Sequence, residues 1–133
     1  MLIKSTKFSK LFIIDKKIFN DERGYFIRDF CKKELKKIKF DIKQVNISFN
    51  KKKYTLRGFH YQKKPFEEDK IITCLSGEIL NISIDLRPRS KTYLKYFKKI
   101  LSEKNCYSLH IPKGFANAYL TLKSNTKILY YMS

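Results

Sequence analysis

From residue 79 the chain reads ILNISIDL, and strict alternation sorts these residues into two rows. Leu80, Ile82, Ile84 and Leu86 fall on one face of an extended strand, and Ile79, Asn81, Ser83 and Asp85 on the other. Val45, Ile47 and Phe49 alternate in the same way with Asn46, Ser48 and Asn50. Further β-rich runs lie at 11–14, 25–30, 70–75, 107–111, 120–122 and 127–131, with turn signals at Asp21-Glu22-Arg23-Gly24 and Ser76-Gly77. One stretch breaks the pattern. CKKELKKI carries apolar residues at 31, 35 and 38, which predicts a short helix near residues 31–38. Many short strands and one early helix predict an all-β fold, a jelly roll or small barrel, in a single domain over residues 1–133. From alternation alone, the polar row of a strand such as 79–86 is expected to face solvent.

Composition bounds the partners. The chain has 133 residues, 43% hydrophobic and 15% aromatic, enough for one domain with its own core. The formal net charge of +18 attracts anions of any kind. The lysines are dispersed, as at Lys16-Lys17, Lys32-Lys33, Lys51 to Lys53 and Lys98-Lys99, rather than gathered in a stripe. That favours a solvated basic surface over a nucleic-acid face. Cys31, Cys74 and Cys106 show no metal-ligand spacing and leave one unpaired, which suits a reducing compartment. No apolar run suits a signal peptide or a membrane helix, so a cytoplasmic protein without membrane partners is expected.

The segment LRGFHYQ (56–62) holds one of two histidines. Strict alternation places Arg57 and His60 on opposite faces, but Gly58 between them permits a bulge that brings both to one side. Gln62 follows His60, and Lys70 opens the next strand. Arg57, His60, Gln62, Lys70 and Asp85 together suit an anionic ligand and proton transfer. Metal binding is disfavoured, because position 62 is Gln and His110 alternates out of phase with Leu109 and Ile111. No metal and no cofactor are expected.

Five segments in order make a family visible: DERGYF (21–26), QVNISFNKKKYTLRGFHYQ (44–62), DKIITCLSGEI (69–79), IDLRPRSKTY (84–93) and IPKGFANAYLTL (111–122). Together, over about residues 8–133, they resemble the dTDP-4-dehydrorhamnose 3,5-epimerase family. The resemblance implies a cupin-type jelly roll, a homodimer, no metal, and a nucleotide-diphosphate-linked 4-keto-6-deoxy sugar as substrate. It implies His60 as the catalytic base, Lys70 as the cation near the sugar C4 oxygen, and Tyr130 as the general acid, with Tyr131 one residue out of register. Arg23 and Phe26 match nucleotide-contacting positions, Arg57 an active-site arginine, Gln44 and Asn46 polar cleft residues, and Asp85 an interior aspartate. These types fit the chemistry. A C4 carbonyl acidifies the hydrogens on C3 and C5, a histidine can take one, a fixed cation can hold the enolate oxygen, and a tyrosine can return a proton to the other face.

The chain departs from the family's pattern at three places. Asn117 stands in GFANAY where the family has His; it can hydrogen-bond but not exchange protons and is expected to bind substrate, and Arg28 stands where Glu is usual. Family members also continue past the point matching Ser133, into a segment carrying a second tyrosine and the aspartate that orients the catalytic His. Asp85, on the polar row of its strand, is the candidate replacement for that aspartate. Two other readings stay open on the sequence: a nucleotide-sugar 3,4-ketoisomerase, and a shortened, catalytically weak protein that binds nucleotide sugars.

Overall fold

The computed structural model describes residues 1–133. Twelve strands sort into two facing sheets and a separate hairpin. The first sheet runs β1 (Leu2–Ser5), β2 (Phe12–Asp15), β10 (Tyr107–Ile111), β7 (Lys70–Ser76), β12 (Thr126–Met132) and β5 (Gln44–Asn50). The second runs β6 (Leu56–His60), β11 (Phe115–Thr121), β8 (Glu78–Asp85) and β9 (Tyr96–Ser102). The hairpin pairs β3 (Ile18–Asp21) with β4 (Gly24–Ile27). From β5 to β8, and again from β9 to β12, each successive strand crosses to the other sheet, which makes an antiparallel jelly roll of the cupin type.

Apolar residues from both sheets meet between them. Ile72, Leu109, Ile111 and Ile128 of the six-stranded sheet pack with Ile79, Leu101, Phe115 and Tyr119 of the four-stranded one, sealed by Phe8 and Leu11. A second cluster lies on the outer face of the six-stranded sheet, where Leu35, Ile38 and Phe40 cover Ile14 and Ile71.

The expected helix at 31–38 is absent. Residues 32–38 form consecutive turns, with one i→i−4 bond from Leu35 N–H to the Cys31 carbonyl (2.9 Å), then Ile38 N–H to Leu35 O (2.8 Å). A helix this short does not recover its nucleation cost. Burial of Leu35 and Ile38 against the sheet shapes the segment instead, so the apolar spacing reported burial rather than helicity.

The polar rows also turn the other way from expectation. On β8, Ile79, Asn81, Ser83 and Asp85 are fully buried, while Leu80, Ile82 and Ile84 are only half-buried. On β5, Asn46, Ser48 and Asn50 face inward, and Val45, Ile47 and Phe49 are exposed. This inversion is tolerable because the buried polar atoms bond to one another.

Asp85 is the most heavily bonded of them. Arg87 donates to its carboxylate through Nε and Nη2, both at 2.8 Å, and Ser90 and Thr92 hydroxyls donate at 2.6 and 2.7 Å. Burial alone would raise this carboxyl; the bonds from Arg87, Ser90 and Thr92 overcome it and hold it well below the usual range. The four residues clamp the connection between β8 and β9.

The hydrogen bonds of β6 to β11 slip by one residue between Arg57 and His60. Asn117 stands opposite His60 and Tyr119 opposite Arg57, so Gly58 and Phe59 together face Ala118. That is the bulge Gly58 was expected to permit. Gly58 has φ +125°, and a Cβ there would meet the Ala118 Cβ at 2.5 Å and the Asn117 carbonyl at 2.6 Å. Gly58→Ala is therefore expected to lower stability by about 1–3 kcal/mol or more in urea melts. Asp85→Ala is expected to cost about 3–5 kcal/mol, because it leaves Arg87 and two hydroxyls without their acceptor. The Asp85 carboxyl titrates lower in the folded than in the unfolded chain, where it lies at about 3.9. Its contribution is complete above that pH and lost as pH falls toward the folded value, so wild-type and variant urea midpoints should converge between pH 6 and strong acid.

Candidate active site

At one end of the sandwich, between β5 and β12 on one wall and β6 and β11 on the other, lies a cavity of about 310 Å³. The bulge at Gly58 aims Arg57 and His60 into it together. Arg57 is anchored there, since its Nε donates to Asn50 Oδ1 at 2.9 Å. The same oxygen accepts from the Tyr119 hydroxyl at 3.3 Å, and Ser48 Oγ lies 3.2 Å from that hydroxyl. The inward polar row of β5 thereby fixes both an arginine and a tyrosine on the cavity wall.

β12 supplies Tyr130 and Met132. Its period of two settles the choice between the paired tyrosines. Tyr130 enters the cavity, while Tyr131 points to the outer face and donates to Asp29 Oδ2 at 2.9 Å. Asp29 also holds the buried ammonium of Lys16. Burial first, and the neighbouring Tyr119 second, push the Tyr130 phenol above the ordinary tyrosine range, with Arg57 opposing. Tyr130 is therefore a protonated donor at neutral pH.

Lys70 opens β7 and reaches the cavity from its floor. Its Nζ is 2.9 Å from Glu68 Oε1, and both side chains are nearly buried, at 10% and 14% exposed. Glu68 is the one carboxylate among the lining residues. Asn117, opposite His60 on β11, completes the wall.

The structure thus gathers His60, Tyr130, Lys70, Asn46, Arg57 and Asn117 around one cavity. Gln44 stands beside it, exposed, with its Nε2 donating to Asn46 Oδ1 at 2.9 Å. Arg23 and Phe26 lie elsewhere, on the exposed β3–β4 hairpin, where Arg23 pairs with Asp21 at 2.7 Å. Asp85 does not line the cavity. Its oxygens are committed to Arg87, Ser90 and Thr92, which excludes it as the partner of His60. Gln62 does not line it either. His110 faces the far side of its strand, with Nδ1 donating to the Lys10 carbonyl at 2.9 Å. Nowhere do three or more His, Cys, Asp or Glu side chains converge as metal ligands.

Sequence reasoning missed Glu68, Ser48 and Tyr119. The signal for Ser48 was its place in the inward row with Asn46, and that for Tyr119 its i+2 spacing from Asn117. Glu68 stands two residues before Lys70 and so shares its face, but the segment before the strand carries no alternation to reveal it.

The model of a family described as dTDP-4-dehydrorhamnose 3,5-epimerase matches residues 5–133. An enzyme of that name from Sinorhizobium fredii is 35% identical over 132 residues, covering 98% of this chain and 68% of the relative. One from Shigella flexneri is 33% identical over 133 residues, covering 98% and 73%. Among solved structures, the Bacillus anthracis dTDP-4-dehydrorhamnose 3,5-epimerase with TDP and PPi bound superposes with a TM-score of 0.94 at 32% identity, covering 98% of this chain and 76% of that one. The Legionella pneumophila dTDP-6-deoxy-D-glucose-3,5-epimerase, in complex with dTDP-4-keto-L-rhamnose, superposes at 0.92 with 33% identity, covering 98% and 70%. Fold, motif order and these likenesses agree, and the chain belongs to the dTDP-4-dehydrorhamnose 3,5-epimerase family.

Proposed function

We propose that this chain is an isomerase acting on a dTDP-linked 4-keto-6-deoxy sugar, epimerising carbons next to the C4 carbonyl in deoxysugar biosynthesis. The observation that carries this reading is the placement of base and acid in opposite walls. His60 comes from the four-stranded sheet and Tyr130 from the six-stranded sheet, and both line one cavity. Inversion needs a proton taken from one face of the sugar and one returned to the other. A 3,4-ketoisomerase has no such need for opposed groups.

In this reading His60 removes the proton on C3 or C5, and the electron pair moves to the C4 oxygen. Lys70, held by Glu68, stabilises that oxygen as it gains charge. Tyr130, kept protonated by its surroundings, then protonates the carbon from the other side. Arg57 and the polar row Asn46 and Gln44 bind the substrate, and Arg23 and Phe26 meet its nucleotide portion outside the cavity. The basic surface draws in the diphosphate. No helix is long and apolar enough to cross a membrane, and we place the reaction in the cytoplasm.

We further propose a homodimer built on β5. This strand is an open sheet edge, and Val45, Ile47 and Phe49 leave its outer face apolar and more than half exposed. Such an edge invites a partner.

Incubation with dTDP-4-keto-6-deoxyglucose in D2O, followed by NMR, tests the reaction. Deuterium at C5 and C3 with inversion is expected. A carbonyl shifted to C3 would indicate ketoisomerisation, and the absence of exchange in folded protein would reject catalysis. His60→Asn is expected to lower exchange by about 10²–10⁴-fold, and Tyr130→Phe to suppress inversion more than exchange. Light scattering should give the mass of two chains, and Ile47→Asp should shift it toward one.

A further inference from the structure

Three buried polar residues, one in the cavity wall and two behind it, have no part in proton transfer by His60 and Tyr130. Asn81 and Ser83 are completely buried on β8, and Asn117 is 6% exposed on β11. Asn117 pairs with Ser83 on one side and with His60 on the other, so the row leads across three adjacent strands to the base. Its hydrogen bonds run in one direction. Asn81 Nδ2 donates to Ser83 Oγ at 3.1 Å, and Ser83 Oγ donates its single hydrogen to Asn117 Oδ1 at 3.0 Å.

An asparagine amide offers an acceptor oxygen at one end and a donor nitrogen at the other. With Oδ1 of Asn117 occupied by Ser83, the group left to face the cavity is the Nδ2H2, which finds no acceptor in the protein. At the other end of the row, Asn81 Oδ1 is buried without a partner. Burying an unpaired acceptor is unfavourable, and an apolar residue at 81 would avoid it. The chain retains Asn81, whose amide fixes the direction of the Ser83 hydroxyl.

Resting on the epimerase reading, we infer that Asn117 is a catalytic hydrogen-bond donor to the C4 oxygen of the keto sugar, and that Ser83 and Asn81 are positioning residues that hold its NH2 toward the cavity. Lys70 already has its charge matched by Glu68. A second, neutral donor whose orientation is fixed before substrate arrives adds stabilisation as that oxygen becomes an enolate. A chain of aligned hydrogen bonds polarises its last member, which strengthens that donor.

The test compares kcat and KM for Asn117→Asp and Ser83→Ala in the NMR assay, with circular dichroism verifying the fold. Asn117→Asp keeps the shape and the acceptor for Ser83 but removes the donor. It should lower kcat by about 10²-fold, the scale of losing one oxyanion donor, with KM little changed. Ser83→Ala, which does not touch the cavity, should lower kcat in the same direction by a smaller factor. Unchanged kcat in both variants, or a rise in KM alone, would overturn the inference. A second measurement needs no variant and no turnover. In protein labelled with ¹⁵N-asparagine, the Asn117 side-chain NH2 signals should shift when dTDP-4-keto-6-deoxyglucose is added. If the wild-type protein binds the sugar without turnover, the epimerase reading falls while the amide shift still decides the donor. A bound sugar that leaves those signals unmoved, or no binding at all, removes the donor assignment.

Discussion

A polar group buried between two sheets is costly without a hydrogen-bond partner, and in this protein that cost organises the interior. β5 and β8 turn their polar rows inward. The result is a sandwich with an apolar core in one part, where Ile72, Leu109 and Ile128 meet Ile79 and Leu101, and a polar lining in another. Each inward polar residue is matched to a neighbour. Asp85 takes Arg87, Ser90 and Thr92, Asn50 takes Arg57 and Tyr119, and Ser83 links Asn81 to Asn117. Without those pairings the desolvation cost of the polar rows would favour the opposite facing of both strands.

The same arrangement gives the cavity its chemistry. Two sheets provide two walls, and groups that must act on opposite faces of a substrate can be mounted one on each. His60 reaches the cavity with Arg57 because the bulge at Gly58 resets the side-chain phase within β6. Tyr130 reaches it because the network of Tyr131, Asp29 and Lys16 holds the other face of β12. Lys70 and Glu68 meet as a nearly buried pair, so this cation is held in place on the cavity floor.

Much of this was legible in the residues. The alternation of 44–50 and 79–86, the turn at Ser76-Gly77 and the glycine between Arg57 and His60 each led to the observed strand, turn or bulge. The out-of-phase placement of His110 also agrees with the structure. Other features were not legible, for identifiable reasons. The spacing of Leu35 and Ile38 marks a buried face, and a run of turns can bury the same two residues as a helix. Asp85 reads as a free carboxylate near the chemistry, whereas its ligands Arg87, Ser90 and Thr92 lie in a connecting loop whose path alternation does not describe.

The sequence by itself determined the strands, their two faces, the family and the residue types capable of proton transfer, because period, turn chemistry and motif order are properties of neighbours along the chain. It did not determine which face of a strand is inside. That choice depends on whether distant residues can satisfy buried hydrogen bonds, as Asn117 does for Ser83 across 34 positions and Asn50 does for Tyr119 across 69. Only the tertiary structure decided it, and with it which of two adjacent tyrosines enters the cavity and which carboxylate stands beside Lys70.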